Sequence, residues 1–161
     1  MGFNPLKEKG TPLEQQFKSW EKLNVEPYKK QEVHPYTRTR VILMNGAEFE
    51  GTWFKHQFAR HCTDNELKQK VAMSRRLEQQ QQKMVNCLIP GDETTLEVTL
   101  GYEQVAVDLT AWLAKNEPDQ IVKAALDFAL LEDFDHLYRY ANLYEMKEGK
   151  KASDIVGEYT E

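Results

Sequence analysis

From residue 38 to residue 147 the chain reads as helix almost without interruption, and the interruptions are very short. "TDNE" (63–66), "LIPGD" (88–92) and "NEPDQ" (116–120) are the only strong breaks. Between them apolar residues recur at steps of three and four, the spacing of a helix with one buried face. No β-rich run competes. Long helices joined by two to six residues must fold back on their neighbours, so the pattern predicts an all-α chain. The expected form is an antiparallel bundle of about four long helices.

The boundaries follow from the breaks. The first long helix spans roughly 38–62, with Gly46 and Gly51 as points of close contact or kinking. Thr63 and Glu66 have capping-box spacing and open the second, which runs to about Cys87. Pro90 and Gly91 stop it, and Asp92 is placed to cap the third, 93–116. Pro118 suits the first turn of the fourth, 118–147, and Gly149 suits its end, with Lys147, Lys150 and Lys151 nearby. The tail "ASDIVGEYTE" can begin one more short helix.

Residues 1–37 differ. Pro5, Pro12, Pro27 and Pro35 break them up, and only "TPLEQQFKSWEKLN" offers a helical face, through Leu13, Phe17, Trp20 and Leu23. The expected organisation is an N-terminal arm, 1–37, docked on a helical domain, 38–161.

Charge excludes some functions. The chain of 161 residues carries a net charge of −5. Residues 1–90 hold 15 Lys/Arg against 10 Asp/Glu, and residues 91–161 hold 6 against 16. An acidic C-terminal half argues against nucleic acid as the main partner. Lys68, Lys70, Arg75, Arg76 and Lys83 form a basic helix face, read as a solvated one. No apolar run approaches the ~18 residues of a membrane span, and no secretory signal is visible, so the expected location is the cytoplasm. Cys62 and Cys87 form no C-x-x-C and no disulfide framework.

The buried stripes carry acids. The fourth helix places Leu126, Ala129, Asp133, His136, Tyr140 and Leu143 on one face, and the third places Leu96, Leu100, Glu103, Val107, Thr110 and Ala114. The second gives Leu67, Val71, Ser74, Glu78, Gln81, Val85 and Leu88; the first gives Leu43, Ala47, Glu50, Phe54, Phe58 and His61. A buried, isolated carboxylate is costly, so one per stripe asks for a reason.

Height supplies one. Glu50 lies 13 residues before Thr63 and Glu78 lies 15 after it; Glu103 lies 13 after Pro90 and Asp133 lies 16 after Glu117. At ~1.5 Å per residue, all four acids reach one level in an up-and-down bundle. His136 sits one turn beyond Asp133, and Glu132 becomes the inward acid after a slight rotation of its helix. Carboxylates and an imidazole converging inside a bundle suit iron or manganese. His34, His56 and His61 have no partner at metal spacing.

"GYEQVAVDLTAWL" and "ALDFALLEDFDHLYRYANL" together resemble the ferritin-like, rubrerythrin-type superfamily over about residues 93–147. Such proteins set a Glu on one helix and Glu-x-x-His on the next, twice. Glu103 matches the first Glu; Asp133 and His136 match the second motif, with Asp in place of Glu. The resemblance implies a ferritin-like bundle holding two iron or manganese ions. It further implies oxidase, peroxidase or iron-handling chemistry with O₂ or peroxide. Its metal ligands would be Glu103, Asp133 and His136, with Glu50, Glu78 and Glu132 as further candidates.

One feature departs from that family. Ferritin-like bundles join their helix pairs by a long crossover, whereas six residues at ~3.5 Å each cannot span a bundle. The site is therefore either improvised in an up-and-down bundle or completed by self-association or a missing C-terminal half. The alternative function is a non-catalytic helical assembly protein whose inward polar groups pair with one another.

Overall fold

The computed structural model describes Lys7 and residues 9–156. The start of the arm and the tail after Val156 lie outside the described residues. The described residues form helices and turns with no strand: α1 (Leu13–Gln16), α2 (Pro35–His61), α3 (Asn65–Cys87), α4 (Thr95–Asn116) and α5 (Gln120–Glu148). Short 3-10 turns occur at Trp20–Leu23 and Ala152–Asp154. The all-α expectation holds.

Contacts divide the chain into two compact units. One unit joins Met1–Glu26 with Asn45–Cys87; the other joins Pro27–Met44 with Leu88–Glu161. The long helix α2 contributes to both.

In the first unit, α3 runs back along α2. Residue 51 lies opposite 78 and residue 56 opposite 75, an antiparallel register. Gly51 belongs there because a Cβ would meet the Glu78 carboxylate at 2.9 Å. Asp64, not Thr63, begins α3: its carboxylate accepts from the Leu67 amide at 2.8 Å. That carboxylate satisfies one of the helix's free first-turn amides, which moves the cap by one residue. The arm docks on α3. Lys18 and Gln80 exchange two hydrogen bonds of 3.1 and 2.8 Å, and Leu23 is buried. Trp20 stays exposed, so the predicted four-residue face closes only in part.

In the second unit, α4 and α5 form an antiparallel hairpin across three residues. Thr94 meets Glu148, Thr110 meets Asp133, and the 117–119 link closes the far end. A full capping box opens α4: Thr94 accepts from the Glu97 amide and Glu97 accepts from the Thr94 amide. This replaces the expected Asp92 cap, because Glu97 completes the reciprocal pair that Asp92 lacks. Asp119 caps α5 through the amides of Ile121 and Val122, which leaves Pro118 just outside the helix. Gly149 ends α5 at φ 65°, the left-handed conformation that glycine adopts without a Cβ clash. Leu100, Tyr144, Ala152 and Ile155 form the core, with Leu96, Leu137 and Ala141 packed on it.

Residues 27–44 cover the other side of α4. Gly101 lets Ile42 approach the α4 backbone, where a Cβ would collide with its Cδ1. Thr39 donates to Gln104 at 3.2 Å and Tyr36 donates to Asp108 at 2.9 Å. Two buried carboxylates anchor this packing. Glu93 takes Arg38 at 2.9 Å and the Tyr28 hydroxyl at 2.6 Å, and Glu97 takes Lys30 at 2.9 Å.

Candidate functional site

The sequence argument placed its best donors on α4 and α5, and the hairpin brings them together. Glu103 Oε2 lies 3.8 Å from His136 Nδ1 across the seam. Burial raises the Glu103 carboxyl above the usual carboxylate range, His136 opposes that shift, and the nearby Asp133 adds to it. All three groups therefore share one electrostatic neighbourhood. Asp133 is half-buried and its Oδ2 accepts from the Thr110 hydroxyl at 2.7 Å.

Their exposure differs from the predicted stripe. Asp133, Leu137, Ala141 and Tyr144 face α4, while His136 is 51% exposed at its flank. The apolar steps 137, 141 and 144 pull α5 round by roughly half a residue spacing from the expected face. Glu132 is exposed and does not become the inward acid.

The remaining candidates, Glu50 and Glu78, belong to the first unit. Glu50 is exposed. The whole predicted stripe of α2 (Leu43, Ala47, Glu50, Phe54, Phe58 and His61) is solvent-facing, whereas Ile42 and Asn45 are buried. Apolar residues occur all round α2, so periodicity alone chose the wrong face. Glu78 is half-buried, lies under Gly51 and forms an ion pair with Lys55. Among the described residues no group of three or more His, Cys, Asp or Glu is arranged to hold a metal ion. Glu103 and His136 are thus a two-donor nucleus with a third acid beside it, which does not by itself fit a di-metal centre.

The buried acids that sequence reading missed are Glu93 and Glu97. Burial alone would raise the Glu97 carboxyl, yet Lys30, the Thr94 amide and Lys150 outweigh it and hold Glu97 below its usual range. The Thr-x-x-Glu spacing of residues 94–97 was a legible signal for Glu97 as a capping residue. Nothing local marks Glu93, whose partners Tyr28 and Arg38 lie far away in sequence.

Around the donors the hairpin is open. On helical geometry, Tyr102, Leu109 and Leu113 of α4 point to the same flank as Leu143 of α5, on the side where His136 emerges. All four are exposed, Leu109 to 46% and Tyr102 to 41%. No family model, curated protein or solved structure matches the chain. No helix among the described residues is long and apolar enough to cross a membrane.

Proposed function

We propose that the chain is an assembly subunit whose α4–α5 hairpin is one half of a four-helix bundle, with a second copy supplying the other half. The observation that carries this reading is the open flank, where exposed apolar side chains surround Glu103 and His136. Its four apolar residues offer on the order of 300 Å² per chain, the apolar centre of an interface whose standard size is ~800 Å² per partner. A two-fold copy is the economical occupant, because it sets a second Glu103, Asp133 and His136 opposite the first.

On this reading the donors of two hairpins, not one, make a ferritin-like metal centre for iron or manganese. That origin accounts for the incomplete donor set of the single chain. The metal would supply redox chemistry with O₂ or peroxide; Glu103 and His136 would ligate it, and Asp133 would join them or orient them through Thr110. The test is sedimentation equilibrium combined with metal analysis after anaerobic reconstitution with Fe²⁺ or Mn²⁺. A dimer holding stoichiometric metal is expected. Leu109→Glu should give monomers and His136→Ala a metal-free dimer. A wild-type monomer at tens of micromolar would sink the proposal.

A second reading is favoured by the Thr110–Asp133 hydrogen bond, which satisfies Asp133 without a metal. In that case the assembly is non-catalytic and the polar seam fixes helix register. A dimer that holds no metal would select it.

A further inference from the structure

The basic face of α3 is not uniform. Three of its five cations are engaged by the arm or a neighbouring turn: Lys70 pairs with Glu14, Arg76 lies over the Phe17 ring, and Lys83 donates to Asn24. The other two, Lys68 and Arg75, line a shallow groove with His56, Ala59 and Arg60 of α2 and Ala72 of α3. Everything in the groove lies within the first unit.

The groove has an unusual charge balance. Its lining contains three permanent cations and no acid. Among the described residues, none of Arg60, Lys68 and Arg75 has a carboxylate within ion-pair distance. The two alanines keep the floor low, so the charged heads stand around a space instead of filling it. Arg75 is also oriented. Its Nη1 lies 2.6 Å from His56 Nδ1. Arginine can only donate, so Nδ1 is the acceptor and the His56 proton sits on Nε2. A guanidinium held through one nitrogen by an imidazole keeps most of its donors for a ligand.

We propose that this groove binds a compact, multiply charged phosphate, of the class of a diphosphate group. Three unpaired cations match the three to four negative charges of pyrophosphate better than the one or two of a monophosphate. The two arginines supply planar, paired donors suited to phosphate oxygens, and Lys68 supplies a point charge. Size favours a diphosphate too, because the cations sit on two helices at either end of the alanine floor. This site is independent of the α4–α5 hairpin and of any metal there. The same diphosphate chemistry can come from a soluble compound or from a lipid headgroup.

Calorimetric titration of the full chain with inorganic pyrophosphate, at fixed ionic strength, tests the site. Saturable binding is expected, with orthophosphate at least tenfold weaker. Lys68→Gln, an exposed position that should fold normally, and Arg75→Gln should each weaken pyrophosphate about tenfold. Lys70→Gln, whose cation is engaged by Glu14, should change affinity less than twofold. Vesicles containing a polyprenyl diphosphate separate the sources. Pyrophosphate binding without co-sedimentation assigns a soluble phosphate, and co-sedimentation displaced by pyrophosphate assigns a headgroup. Absence of saturable pyrophosphate binding overturns the proposal, as does equal loss in Lys70→Gln and Lys68→Gln.

Discussion

Glu103 and His136 face each other across the α4–α5 seam at 3.8 Å, near enough to attract but too far for a direct hydrogen bond. The Glu103 carboxyl is raised by burial and by Asp133 in spite of His136, so its charge works against the fold. The sign follows: a raised carboxyl costs stability above its folded pKa, and that cost vanishes as pH falls through it. At pH 8 Glu103→Gln should therefore melt slightly higher than wild type, by about 2 °C, and on the proposed metal reading bind less Mn²⁺. Thermal melts at pH 8, with and without Mn²⁺, check both parts.

Glu97 behaves oppositely. Its carboxyl is held low, so its ion pair with Lys30 stabilises the fold above the ordinary carboxylate pKa of 4.5. That contribution is lost progressively as pH drops below 4.5 through the folded value. Glu97→Gln should flatten the acid limb of a stability–pH curve measured by urea unfolding from pH 7 to pH 3. An unchanged limb would show that other carboxylates govern acid unfolding.

Arg38 joins two elements distant in sequence, binding Glu93 and the Ile155 carbonyl oxygen at 3.1 Å. Arg38→Met leaves Glu93 buried with only the Tyr28 hydroxyl. The expected loss is about 3–5 kcal/mol, the usual consequence of removing one partner of a buried pair. Replacing both, as Arg38→Met with Glu93→Gln, should recover part of it. Denaturant unfolding of the two variants measures the difference.

Gly101→Ala tests close packing. The new methyl meets Ile42 and the Arg38 stem, and the collision outweighs the helix propensity gained. A net loss of roughly 1–2 kcal/mol is expected. Pairing it with Ile42→Val, which shortens the colliding branch, should restore most of the melting temperature.

Leu109→Glu should convert dimer to monomer with little effect on monomer stability, because Leu109 is already 46% exposed. Sedimentation velocity across a hundredfold concentration range would reveal it. A monomeric wild type removes the α4–α5 flank as an interface.

The helices were legible because their evidence is local. Breaks at Asp64, Thr94, Asp119 and Gly149 are set by caps and backbone conformations that depend on a few neighbouring residues. The Glu103–His136 meeting was legible for the same reason, since a three-residue link fixes the register of a hairpin. Faces were harder. In α2 the apolar residues surround the helix, and nothing local distinguishes Ile42, which is buried, from Phe54, which is exposed.

Sequence by itself thus determined that the chain is helical, where four long helices start and stop to within about three residues, and which acid meets which histidine across one hairpin. Tertiary structure alone decided the rest. Burial of Glu93 and Glu97 depends on Tyr28, Lys30 and Arg38, more than fifty residues away. The split of the basic face into engaged and free cations depends on where the arm lies. Both depend on long-range contacts, which side-chain periodicity along a single helix does not encode.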